Sequence, residues 1–271
     1  MSSPADLRAP AEIGRSARLV LTFGVRDGRT ALEHAYAEPP LRVGRCFPRD
    51  PGVHLILTSS APGIFGGDSF EQTTTVRTGA IVTLASQSAL QVHPSFAGVP
   101  ALIRSRFVVE AGGELQCVWH PLVPFEKSRL DQHIEIEVAE RGRLLWSDAM
   151  MAGREGRGER WRFDRLDHEL TLRRGGRQLY LERYRLGEGA PADHAWAAGN
   201  MSYFGTFLRL GCGDDRSTAE SIQRELSHRE GVYAAADLID RDVLLVRLAS
   251  ASGVAFHSAR AIAANASFQN L

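Results

Sequence analysis

Residues 54–95, HLILTSSAPGIFGGDSFEQTTTVRTGAIVTLASQSALQVHPS, decide the reading of this chain. An apolar run at 54–58 enters a turn region made of Ser59, Ser60, Pro62, Gly63, Gly66 and Gly67, which Asp68 closes. A long Thr/Val/Ile-rich segment follows, broken once at Thr78-Gly79. Strand, glycine-rich turn, strand, short turn, strand is the pattern such punctuation specifies. Gly63, Gly66 and Gly67 mark backbone that needs a positive φ or has no room for a Cβ.

Working outward, residues 18–23 and 30–37 read as strands joined by an Asp27-Gly28 hairpin turn, and Pro39-Pro40 enforces extended backbone after them. Downstream, 101–110, 114–119, 132–140, 161–172, 177–186, 201–210 and 237–248 read as further strands, with turns at Gly112-Gly113, Arg141-Gly142 and Gly175-Gly176. In 132–140, Ile134, Ile136 and Val138 alternate with Glu135 and Glu137, which buries one face and wets the other. Helical signals come late. Ser217 and Glu220 form a capping box before a helix that Gly231 would end, and 253–264 could form a last helix. With no alternating βα units and no repeat of fixed length, the expected fold is mainly β and two-layered. Two or three helices fall in the C-terminal third. Residues 1–15 read as a loose tail, and 16–271 as a single β-rich domain whose helix-containing part begins near 190.

The totals bound the function. Among 271 residues, 44% are hydrophobic and 24% charged, enough apolar content for a packed core, and the formal net charge is zero. No global field argues for nucleic acid or a membrane surface. The three cysteines, Cys46, Cys117 and Cys212, are odd in number and far apart. They fit a reducing compartment and lack the paired spacing of a closed zinc site. No signal-peptide h-region and no membrane-spanning run is visible, so a cytoplasmic location is the expectation.

Candidate chemistry is sparse. The glycine turn at Gly63, Gly66 and Gly67 lacks the following helix and lysine of a phosphate loop, so a tight turn with Asp68 bonding its own backbone reads better. His93 and His120 each precede a proline at a strand end, where a metal ligand and a rim histidine are equally well placed. Asp68, Glu126, Glu155 and Glu159 fall in turns, either as solvated groups or as the lining of a polar cavity that hands on a divalent cation. A carrier that must release such a cation uses few oxygen and imidazole ligands rather than thiolates. Residues 154–165 carry five arginines and three acids around Trp161 and Phe163, which reads as a salt-bridged β-hairpin face, a protein-binding surface or an RNA-binding one. No nucleophile–base–acid set can be assembled, and GxSxG does not occur.

Four patches together resemble the urease accessory proteins called UreD or UreH. They are 40–43 (PLRV); 62–92, with PGIFGGD and then Gln87 within ASQSALQV; 113–121, from GEL to WHP; and 153–159, with Gly153-Arg154 and Gly158-Glu159. The resemblance spans residues 30–186. It implies a β-helix-like stack of two sheets and a non-enzymatic role as a maturation scaffold. The partners it implies are apo-urease, a UreF-type protein and a UreG-type GTPase, with nickel in transit and no permanent cofactor. Asp68, His93, His120 and Glu159 are the candidates for contacting that nickel. The alternative is a β-rich enzyme using carboxylates such as Asp68 and Glu159 on a polar small molecule or glycan, which requires two carboxyls facing across a cleft at ~5–10 Å.

Overall fold

The alternation along 16–26 places Ala17, Leu19, Leu21 and Phe23 on one buried face, and the same period governs the strands that stack beside it. A computed structural model of the protein, describing residues 14–187, 199–213 and 215–268, resolves this into two sheets. In the first, β1 (Ser16–Arg26), β5 (Ser69–Val76), β8 (Ala101–Val109), β11 (Arg129–Val138) and β13 (Arg165–Arg174) pair in parallel, with β2 (Arg29–Ala37) and β14 (Arg177–Gly187) antiparallel at the two edges. In the second, β4 (Gly52–Ser59), β6 (Ile81–Ser86), β9 (Glu114–Val118) and β12 (Arg143–Met151) run parallel. Antiparallel β3 (Leu41–Arg49) flanks β4. Antiparallel β15 (Tyr203–Leu210), β17 (Val243–Ser250) and β16 (Val232–Asp240) follow β12.

The chain therefore climbs as stacked coils, as in a β-solenoid, visiting one sheet and then the other. A short third side of each coil carries Ile64, β7 (Leu90–Val92) and β10 (Leu122–Pro124), which ladder in parallel up to Met150. The turns ladder too. The Glu110 N–H donates to Val76 O at 2.9 Å, Ala139 N–H to Val109 O at 2.8 Å and Gly175 N–H to Val138 O at 3.2 Å. Coil closeness explains Gly63, where a Cβ would lie 2.2 Å from the Gln91 carbonyl of the next coil.

Two helices, α1 (Asp215–Ser227) and α2 (Gly253–Phe268), cover the outer face of the second sheet. Ala219, Ile222 and Leu226 of α1, with Phe256, Ala259 and Ala263 of α2, pack against Leu145, Phe207, Leu244 and Val246. Each large apolar side chain so buried contributes roughly 1.5–3 kcal/mol. β12, β15 and β17 are consequently buried on both faces.

Several expectations need correction. The strand expected at 161–172 begins at Arg165, because Trp161 holds φ 58° in the preceding loop. The strand expected at 237–248 is a hairpin, β16 and β17, turning at Arg241-Asp242. α1 starts at Asp215, so Ser217 lies in its first turn rather than at the cap. The segment 154–165 is a loop with one 3₁₀ turn (Glu155–Arg157), not a hairpin. The loose tail expected at 1–15 falls, for residues 1–13, outside the described residues.

Gly63→Ala drives a methyl into the backbone of the neighbouring coil and should destabilise the fold by about 2 kcal/mol, within the range of overpacking. Gly156→Ala, with nothing within 4 Å of its Cβ position, should stay near wild type. Paired denaturant titrations check this; equal midpoints for the two variants would remove coil closeness as the reason for Gly63.

Candidate functional site: a polar belt around an internal cavity

Inward-facing residues between the sheets divide into two apolar clusters. One is centred on Phe23, Phe107, Trp146 and Leu208, the other on Phe70, Leu130, Met150 and Trp161. Between them runs a belt of polar side chains at inward strand positions: Gln72, Ser105, Gln132, His168 and Glu182 from the first sheet, Asp148, Thr206 and Arg247 from the second. A cavity of about 890 Å³ sits at this belt. Exposed residues border it in two groups, Pro62, Gln87, Ser88 and His120 from the loops, and Tyr233, Ala235 and Arg247 from β16 and β17.

The belt is hydrogen-bonded throughout, as buried polar groups require. His168 Nδ1 lies 3.0 Å from Gln132 Oε1, and its ring stacks on Tyr184 at 4.7 Å. Trp146 Nε1 donates to Asp148 Oδ2 at 3.0 Å. Arg247 donates to Glu182 Oε1 at 2.5 Å, Thr206 Oγ1 at 3.0 Å and the Tyr180 hydroxyl at 2.6 Å, and the Tyr180 hydroxyl donates to Glu182 Oε2 at 3.1 Å.

Burial raises the Asp148 carboxyl above its ordinary value; His168 and the Trp146 hydrogen bond oppose that rise without cancelling it. Burial lowers His168, while Asp148 and Glu182 pull it back up. Asp148 keeps partial exposure because it faces the cavity, although protein surrounds it on every side. Among the described residues, no three His, Cys, Asp or Glu side chains converge so as to hold a metal ion. What the belt offers is a few hard or borderline donors in a water-accessible space.

The residues singled out from sequence lie mostly elsewhere. Asp68 is buried, and its two carboxylate oxygens accept from the backbone N–H groups of Arg15 (2.8 Å) and Phe65 (3.0 Å), so it locks the glycine turn. Gly67 supplies φ 90° there, and a Cβ on Gly66 would meet Ser95 Oγ at 2.5 Å. Glu159 is ion-paired with Arg154, which holds its carboxyl below the ordinary value, and accepts from Glu126 N–H. The Arg154 guanidinium lies 3.7 Å over the Phe125 ring. Phe125 meets the edge of His93 at 4.9 Å, and His93 stacks on Phe65 at 4.2 Å. Gly153 holds φ 134° and Gly158 ends the 3₁₀ turn at φ 72°. The 153–159 patch and the glycine turn's Phe65 are thus linked through Phe125 and His93 at the short third side of the coils.

Of the four candidate nickel contacts, His120 borders the cavity; Asp68, His93 and Glu159 do not. The carboxylates of the enzyme alternative, Asp68 and Glu159, are therefore absent from its lining. The aromatics of the arginine-rich segment, Trp161 and Phe163, are buried in the core, and Arg154, Arg162 and Arg165 pair with Glu159, Glu126 and Asp167. No stacking platform for bases is left there.

The fold is a β-solenoid of two sheets with a cavity lined by polar side chains between them. The family model described as UreD urease accessory protein matches residues 15–266, and the chain belongs to that family. The match extends beyond the 30–186 span legible from the four patches. Curated relatives include a urease accessory protein UreD of Sorangium cellulosum, 35% identical over 64% of this chain and 55% of that one. The urease accessory protein UreD 3 of Methylorubrum populi is 34% identical over 82% of this chain and 72% of its own length. The UreD protein of Anaeromyxobacter sp. is 32% identical over 85% of this chain and 79% of its own. No described helix is long and apolar enough to cross a membrane.

Asp148→Asn should raise the thermal midpoint at neutral pH. The folded carboxyl binds its proton more tightly than the unfolded one, so ionisation costs stability as pH rises above the unfolded value near 3.8. Below that value both states are protonated and the gain should vanish. Thermal melts across pH check this; a stabilisation that persists unchanged into acid would exclude burial of the charge as its cause.

Proposed function

We propose that this protein is a non-enzymatic maturation factor in the cytoplasm that helps deliver nickel to apo-urease, acting in complex with a UreF-type protein and a UreG-type GTPase. The observation that carries the reading is the belt. Asp148 and His168 present a carboxylate and an imidazole to a cavity between the sheets, with His120 at its border. Nickel is cargo here, so a site that holds it incompletely is the functional one, since a complete thiolate shell would retain it. Nucleotide chemistry belongs to the GTPase partner, in keeping with a glycine turn that leads into strand β5 rather than a helix. Membership of the UreD family supports the urease client.

The test is reconstitution. Urease subunits and the other accessory proteins are co-expressed in nickel-supplied cells with and without this chain. Urease activity and co-purification should both depend on its presence. An Asp148→Ala/His168→Ala double variant should still co-purify but lower activation by about tenfold or more, the scale on which metal-site support is lost. Full activation by the double variant would remove the cavity from the route, and activation without the chain would remove the maturation role.

A further inference from the structure

One loop on the short third side of the coils presents apolar surface that neither the core nor the cavity uses. Phe96 is 93% exposed, and no other large apolar side chain among the described residues is as open to solvent. It is not isolated. Phe65 and Val99, 41% and 45% exposed, belong to the same pair of touching loops, where a Cβ on Gly66 would meet Ser95 Oγ at 2.5 Å and the Val99 carbonyl oxygen at 2.7 Å. The loop is also fixed. Ser95 N–H donates to Lys127 O at 2.9 Å and Ser95 Oγ to Val99 O at 2.5 Å. Gly98 N–H closes a turn on Ser95 O, and Gly67 N–H holds Pro100 O, both at 3.2 Å. Charge around the patch is uneven. Residues 93–100, 125–128 and 153–162 carry Lys127 and four arginines against three glutamates, in a chain that is neutral as a whole. Arg154 and Arg162 pair with Glu159 and Glu126, and Arg160 donates to the Gly199 and Met201 carbonyls. Lys127 and Arg157 are exposed and form no ion pair among the described residues.

We propose that this side of the coils is a docking surface for a partner protein, whose apolar pocket takes Phe96 and whose carboxylates at the pocket rim pair with Lys127 and Arg157. The inference rests on the chain acting in a protein complex and not on the cavity. An aromatic anchor held in place before binding loses little freedom when it docks, which is what the hydrogen bonds of Ser95 and Gly98 provide. The two uncommitted cations set the sign of the partner, because opposite charge at a rim selects and steers. A second copy offering the same face would set Lys127 and Arg157 against their own kind. One phenylalanine with two free cations is too little apolar and basic surface to hold a membrane, which takes a whole amphipathic face or a lipid chain with a polybasic patch. A protein with an acidic rim satisfies both features at once.

The experiment is biolayer interferometry of the full chain against purified apo-urease, the UreF-type protein and the UreG-type GTPase, each alone and in combination. Phe96→Ser removes a side chain that the fold does not bury, so it should keep the wild-type thermal midpoint. It should weaken binding to one of these partners at least about tenfold, the scale of an interface hot spot. Phe96→Trp should retain that binding. A Lys127→Glu/Arg157→Glu variant should weaken the same interaction and flatten its salt dependence. Unchanged binding of Phe96→Ser to every partner overturns the docking surface and leaves the maturation reading standing. Failure of the wild-type chain to bind any of them overturns both. If Phe96→Ser instead abolishes self-association of the chain, or its binding to phosphatidylserine vesicles, with partner binding intact, the patch belongs to a second copy or to a membrane and the proposal falls.

Discussion

Strand β12 is the constraint on which the rest depends. It is the last parallel strand of the second sheet and the first partner of that sheet's antiparallel strands, pairing β9 on one edge and β15 on the other. Its side chains serve three environments. Leu144 and Trp146 enter the core between the sheets, Leu145 and Ala149 meet the helices outside, and Asp148 faces the cavity. A one-residue slip would send Asp148 among the helix contacts and Ala149 into the belt, so register here is set by both faces at once.

The belt follows from the coil geometry. Parallel in-register stacking puts equivalent inward positions of successive coils side by side, so Gln132 lies beside His168, and Gln72 beside Ser105. The stripe steps by one inward position between β8 and β11, where Ser105 lies beside Ile134 and Gln132 beside Ile103, and an apolar core cannot close across it. The two apolar clusters hold the sheets together above and below it. The resulting space is the cost of a polar stripe inside a solenoid.

Much of this was legible in the sequence. The alternation and the glycine punctuation pointed to the strands and a two-layer, mainly β fold, and the family resemblance to their β-helix-like stacking. The PGIFGGD turn reads as a turn because Asp68 follows the glycines, and its carboxylate does bond local backbone. The cavity residues were missed because carboxylates were sought in turns, where charge is ordinarily found. Asp148, His168, Glu182 and Arg247 lie within strands, each on the inward phase: Trp146-x-Asp148, Leu166-x-His168-x-Leu170, Tyr180-x-Glu182-x-Tyr184, Leu245-x-Arg247. A charged residue in phase with buried neighbours was the available signal. The bracing roles of Glu159 and His93 were not readable, since ion pairing and ring stacking between coils depend on loops whose paths the local sequence does not specify.

The most direct measurement is nickel-edge anomalous diffraction from crystals of the chain equilibrated with Ni²⁺. The account predicts an anomalous peak inside the cavity, in contact with Asp148 or His168. Peaks confined to exposed histidines on the outer surface, with an empty belt, would contradict it.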